Sequence, residues 1–226
     1  MSEHQHEQHE HRHGDDHDRG IDPAMWTAAF WDERYGGTDA VWSGRPNRRL
    51  VEQAADLPPG TAVDVGCGEG ADAVWLARQG WQVTGVDVSR VALERGAAHA
   101  AEAGVAVEWR QVDLVAGEGL PAAYDLVSAH FLHPPAELLG DLLRRLGEAV
   151  RPGGTLLFVG HHPRDLAARD QHAAMLPLMP TPEQVVAHLD PQVWDVRVAD
   201  VQAREQLVEG RPATVHDSVV RAVRAR

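Results

Sequence analysis

Between residues 61 and 161, short apolar runs alternate with longer segments whose apolar residues recur every three or four positions. TAVDVG (61–66), WQVTGVDV (81–88), VAVEWRQVDL (105–114), AYDLVSAH (123–130) and GTLLFVGH (154–161) have strand length and strand composition. GADAVWLARQG (70–80), SRVALERGAAHAAEAG (89–104) and PAELLGDLLRRLGEAV (135–150) carry the helical period. Ser89 is the expected N-cap of the second of these, and Gly80 and Gly104 are expected C-terminal stops. This alternation predicts a mostly parallel sheet covered on both faces, the doubly wound α/β class. Two helices are expected before it, at 23–37 with Pro23 in the first turn and at 45–57. After it come a short helix at 181–189 capped by Thr181 and two strands, 193–202 and 214–224. A parallel connection needs a crossover of about a dozen residues, so these last strands are expected to form an antiparallel hairpin. The organisation expected is a tail over 1–22 and one globular domain over 23–226, with 23–57 as a helical lid.

Composition narrows the function classes. A hydrophobic fraction of 43% supports a sizeable core. The formal net charge of −13, with no lysine in the chain, argues against a nucleic-acid partner, because a phosphate backbone would be repelled. Cys67 is the only cysteine, so no intrachain disulfide can form, as in a reducing cytoplasm. No apolar run approaches the roughly 18–20 residues that span a bilayer, and the polar N-terminus is unlike a signal peptide. A cytoplasmic protein without a membrane partner is the expectation. Residues 1–20 hold His4, His6, His9, His11, His13 and His17 among acidic residues and no large apolar side chain, and are expected to be disordered. Imidazoles bind Zn, Ni or Cu, but the irregular spacing points to adventitious metal binding, and no dedicated metal site is assigned.

The stretch VDVGCGEGA (63–71) is the strongest chemical signal. Gly66, Gly68 and Ala71 fit the dinucleotide pattern G-x-G-x-x-G/A, while Gly66, Gly68 and Gly70, with Cys67 between the first two, fit a second glycine pattern. Asp87 ends the next strand about 20 residues on, where a carboxylate accepts from ribose hydroxyls. Nicotinamide cofactors and S-adenosylmethionine both fit so far. Three carboxylates favour the latter. Asp64 lies inside the first strand, where a buried charge needs a partner or a cationic ligand. Glu69 adds negative charge where a pyrophosphate would rest, and Asp113 ends the third strand, where it can accept from an adenine amino group.

Taken in order, VDVGCGEG, GVDVS, QVDL, YDLVSAHFLH and RPGGTLLFVG resemble the motifs of class I S-adenosylmethionine-dependent methyltransferases. FWDERYGG and VWSGRPN resemble the small-molecule branch related to tellurite-resistance and thiopurine methyltransferases. The resemblance implies a seven-stranded Rossmann-like sheet whose last strand is antiparallel. It implies that Gly66, Gly68 and Gly70 line the methionine moiety, that Asp87 binds the ribose, that Val88 packs on the adenine, and that Asp113 and Leu114 hold the adenine edge. Asp72 departs from the family pattern, which has a small hydrophobic residue or Asn there.

The acceptor should lie where the fourth and fifth strands end, at SAHFLHPP and VGHHPRD. His130, His133 and His161 are candidate catalytic residues, with His133 the candidate base; His162, Arg164, Arg45 and Trp31 are candidate acceptor contacts. Tyr35 is expected to reach the methionine end from a lid that also carries Trp26, Phe30 and Trp42. His216 on the last strand can also approach. The expected activity is methyl transfer to a small molecule: a thiol, a metalloid oxyanion, a hydroxyl or a heterocyclic nitrogen. The alternative is a metal-binding or metal-sensing protein that uses the tail and the pocket histidines.

Overall fold

A computed structural model describes residues 23–37, 41, 44–120, 123–165, 175–208 and 211–226. The expected tail and Trp42 lie outside these residues. The first expected helix is divided: a 3-10 turn, Pro23–Trp26, is followed by α1 (Ala28–Tyr35). Thr27 between them is extended, and its hydroxyl accepts from the Phe30 N–H as an N-cap. The second, α2 (Arg48–Ala54), begins three residues later than expected because Asn47 caps it. There follow β1 (Thr61–Val65), α3 (Ala71–Arg78), β2 (Gln82–Asp87), α4 (Arg90–Glu102) with Ser89 as its N-cap, and β3 (Val107–Gln111). Then come β4 (Tyr124–His130), α5 (Leu139–Ala149), β5 (Val150–His161), α6 (Pro182–Val186), β6 (Trp194–Val208) and β7 (Arg211–Arg224). Thr181 and Gln184 form a reciprocal capping box at α6.

The seven strands form one sheet in the order β3-β2-β1-β4-β5-β7-β6. Strands β1 to β5 pair in parallel, and β7 is antiparallel to both β5 and β6, which gives the expected hairpin. Alternate residues of each strand face opposite sides, and each side has its own core. Val63, Val65, Val127 and Phe158 pack with Leu142, Leu143 and Leu146 of α5. Ala62, Leu126, Leu157 and Val159 pack with Leu50 of α2 and Leu76 of α3.

Two features of this topology position the site. Strand order reverses between β1 and β4, so a crevice opens outside their carboxyl ends. The hairpin is also longer than its sequence suggests. His161, the last residue of β5, is level with Asp217 of β7, yet β6 and β7 stay paired from Gln202↔Asp217 out to Val208↔Arg211. The hairpin therefore overhangs the carboxyl edge of the sheet.

Candidate active site

The turn after β1 is a tight backbone cradle. Gly66, Gly68 and Gly70 all have positive φ, at 69°, 51° and 80°. At Gly70 even the space is closed: a Cβ there would sit 2.5 Å from the indole of Trp109. Gly66 N–H and Cys67 N–H both donate to Val86 C=O, at 2.8 and 3.0 Å, which ties the turn to β2. Asp87 completes the fastening. Its Oδ2 accepts from Gly68 N–H at 2.8 Å and its Oδ1 from Ser89 N–H at 2.9 Å. Burial pushes its carboxyl above the usual range. Next to it, the Gln111 amide holds Val88 C=O, and Asp113 Oδ1 accepts from Ala116 N–H at 2.8 Å, shaping the turn that carries Leu114.

Beneath this turn lies a polar group on one face of the sheet. Asp64 is 2% exposed, and its Oδ2 has no hydrogen-bond partner among the described residues. Burial, and then the charge of Asp72, push its carboxyl well above the usual range. Asp72 Oδ2 meets His130 Nδ1 at 2.7 Å, and its Oδ1 accepts from Asn47 N–H at 2.5 Å. His130 Nε2 lies 3.1 Å from Ser128 Oγ, so both of its ring nitrogens are engaged. The departure at Asp72 thus fixes His130 and ties it to the cap of α2. Glu69 needs a different account from the one its sequence position suggests. Its carboxylate is not open to the turn: Oε1 meets Arg95 Nη1 at 2.7 Å and Oε2 accepts from Val41 N–H at 3.1 Å. Arg95 on α4 neutralises the charge that argued against a pyrophosphate, so that part of the discrimination lapses.

The other side of the site is built from the segment after β4. Phe131 is the one described non-glycine residue with positive φ, 52°, a conformation that costs roughly 1–2 kcal/mol. Phe131 N–H donates to Val159 C=O at 2.7 Å, which holds it there. The turn brings His133 against His161, rings stacked 5.5 Å apart and 16° from parallel, with Phe131 on His161 at 4.4 Å. Trp26 Nε1 donates to His133 C=O at 2.7 Å and anchors the N-terminal segment to this turn. Burial, and next the His161 ring, lower the His133 pKa to about 4. His133 Nε2 is buried without a hydrogen-bond partner among the described residues. Burial and then the Arg204 charge lower His161 as well.

A cleft of about 1080 Å³ joins the two sides. Of the expected cofactor residues, Tyr35, Asp64, Gly66, Cys67, Gly68, Asp87, Val88, Asp113 and Leu114 line it; Gly70 acts from behind as the start of α3. His130, His133, His161, Trp31 and Arg45 line it too. His162 and Arg164 do not. His162 Nδ1 accepts from Arg164 N–H at 3.2 Å on the outer turn, where burial and then Arg164 lower the His162 pKa. His216 is held by Asp165, Nδ1 to Oδ1 at 2.7 Å, and is also absent from the lining. Phe131, Arg204, Glu205 and Gln206 line the cleft without having been expected. The last three arrive on the overhanging hairpin.

Residues 62–154 match the family described as a methyltransferase domain. The chain is 34% identical over 116 residues to the ubiquinone biosynthesis O-methyltransferase of Ralstonia nicotianae, an overlap of 50% of this chain and 48% of that one. It thus spans about half the length of the curated relatives it matches. Among solved structures, TehB from Haemophilus influenzae overlays with a TM-score of 0.63 at 15% identity, covering 88% of this chain and 67% of that one. Magnesium protoporphyrin IX methyltransferase (ChlM) from Synechocystis PCC 6803 with bound SAH overlays with a TM-score of 0.62 at 17% identity, covering 89% and 97%. The fold is that of the class I S-adenosylmethionine-dependent methyltransferases. The methyltransferase-domain match at 62–154 lies within that fold.

The lining fits S-adenosylmethionine as the cofactor of that class. Positive φ at the turn leaves backbone close to any ligand, and the unpartnered buried Asp64 Oδ2 suits a ligand that carries positive charge. No helix of the described residues is long and apolar enough to cross a membrane.

Proposed function

We propose that this protein transfers the methyl group of S-adenosylmethionine to a small-molecule acceptor. The observation that carries the reading is a single cleft with a carboxylate-edged glycine turn at one end and the unpartnered His133 Nε2 at the other. When bound, S-adenosylmethionine supplies a methyl group on a sulfonium leaving group. The chain's own contribution is to position the acceptor and exclude water. Asp87 and Asp113 hold the nucleoside end, Gly66 and Gly68 line the methionine end, and Tyr35 covers it. Trp26, Trp31 and Phe131 give the acceptor end an apolar wall.

His133 is the residue we assign to the acceptor's polar atom. Its ring stays neutral above about pH 4. A neutral imidazole with a buried, unsatisfied nitrogen favours an acceptor that hydrogen-bonds to it, since such an orphan costs about 1–3 kcal/mol until it is paired. Thiols, phenols and other weakly acidic groups fit this description. His161 keeps the His133 ring in its stacked orientation. His130, engaged at both nitrogens, is assigned to support rather than to proton transfer.

The test is a methyl-transfer screen over thiols, phenols, selenite and tellurite, with S-adenosylhomocysteine binding measured alongside. Turnover of at least one acceptor that falls in His133→Ala, with cofactor affinity kept, is the expected result. Cofactor binding without turnover of any acceptor contradicts the reading.

A further inference from the structure

We infer that the methyl acceptor carries an anionic group, a carboxylate by preference, and that Arg204 of β6 recognises it at the acceptor end of the cleft. The inference rests on the methyl-transfer reading above and adds the substrate class.

Asp217 of β7 is 1% exposed, and two guanidiniums share it. Arg49, from α2, reaches it with Nε at 3.1 Å; Arg204 reaches it with Nε at 2.9 and 3.1 Å to the two oxygens. Arg49 is otherwise spent. Its Nη1 meets Glu52 at 2.9 Å, and its Nη2 donates to Gln202 C=O and Ala203 C=O at 3.0 and 2.8 Å. The second carboxylate, Glu52, therefore belongs to the outer end of the network, where it also meets Arg48. Arg49 is thus matched by Glu52 as well as by Asp217, whereas Arg204 meets no carboxylate other than the shared Asp217 among the described residues.

Of the two guanidiniums on Asp217, Arg204 is the one that borders the cleft. Its Nη1 donates to the neutral Gln206 amide oxygen, and its Nη2 carries no bond among the described residues. The guanidinium carbon lies 6.0 Å from the centre of the Phe131 ring, which places the fork over that wall of the cleft. Arg45 lines the same cleft. Glu205, the lining carboxylate next to it, accepts from Thr214 Oγ at 2.6 Å. His133 and His161 are both biased towards the neutral form, so they do not compete for an anion. A pre-oriented guanidinium edge with spare donors is the side chain best suited to a carboxylate.

The test uses the full chain loaded with S-adenosylhomocysteine. Benzoate and benzyl alcohol are titrated against it by calorimetry, and 3-mercaptobenzoate and thiophenol are compared as acceptors. Benzoate should bind about tenfold more tightly than the alcohol, in line with a charge-assisted bond. Arg204→Gln should abolish that preference, Arg204→Lys should keep most of it, and neither should move S-adenosylhomocysteine affinity. Equal binding of the two probes, no binding of either, or a preference that survives Arg204→Gln overturns the inference. A benzoate preference without turnover of either thiol leaves the anion site standing and counts against methyl transfer.

Discussion

The carboxyl edge of the sheet has two unlike halves. At the ends of β1 and β2 and just past β3 stand Asp64, Asp87 and Asp113; at the ends of β4 and β5, just past β4 and along β6 stand His130, His161, His133 and Arg204. In the first half, Asp87 bonds to Gly68 and Ser89 and Asp113 to Ala116, partners close by in sequence or in the adjoining turn. In the second half, long-range contacts dominate: Trp26 to His133, Asp72 to His130, Arg49 to Asp217. The first half is held largely by bonds within and between adjoining strand–turn segments. The second half depends on contacts from distant parts of the chain.

That contrast predicts effects of graded size. The largest should follow Asp87→Ala. It orphans two buried N–H groups, each costing about 1–3 kcal/mol, so S-adenosylhomocysteine affinity should fall roughly a hundredfold by calorimetry. An unchanged affinity would mean the turn does not depend on its clamp. Next comes His133→Ala, which should lower kcat by about ten- to a hundredfold, at or below the usual range for a group handling a proton, while cofactor affinity stays within twofold. Loss of cofactor binding in this variant would erase the division into halves.

Asp72→Asn joins the halves and should have a smaller effect. Asn can keep one bond to Asn47 N–H or His130 but removes the charge beside Asp64. We expect kcat to fall by roughly three- to tenfold, and the Asp64 carboxyl, followed by NMR, to titrate lower than in the parent. A titration that does not move would remove Asp72 as a cause of the shift. The smallest effect should come from Trp26→Phe, which deletes one hydrogen bond worth about 1 kcal/mol at the His133 turn and should raise the acceptor KM a fewfold.

The halves should also respond to pH in opposite directions. His133 takes its proton near pH 4 in the fold rather than near its ordinary 6.5. The unfolded chain therefore binds more protons in that window, and this group's contribution to stability is full above 6.5 and lost as pH falls towards 4. Asp64 and Asp87 are raised, so their contribution is full at low pH and lost as pH rises through their folded pKa values. Urea melts of the parent and of His133→Phe between pH 4 and 7 should differ most at the acid end. Parallel curves would contradict the neutral imidazole.

The same contrast explains what was legible in the sequence. The glycine turn, Asp87 and the Ser89 cap could be read because strand, turn and helix follow one another within a few residues. The parallel order and the C-terminal hairpin followed from periodicity and loop length. Glu69 was misread because its partner, Arg95, faces it from α4, 26 residues on. His162 and His161 are neighbours in sequence, yet strand alternation and the outward turn at Pro163–Asp165 send only His161 to the cleft. Arg204 was missed because the hairpin was expected to stop at Gln202, and nothing local marks how far two strands will stay paired. Phe131 was missed because a positive φ at a bulky residue is fixed by the bond to Val159 across β5, not by its own preference.

The central claim is that the carboxylate-edged half of the cleft holds S-adenosylmethionine. Calorimetric titration of the full chain with S-adenosylhomocysteine and, separately, with NAD tests it most directly. One-to-one binding of S-adenosylhomocysteine, weakened by Asp87→Ala and far tighter than any NAD binding, is the result predicted. Tight binding of NAD with no binding of S-adenosylhomocysteine would contradict it.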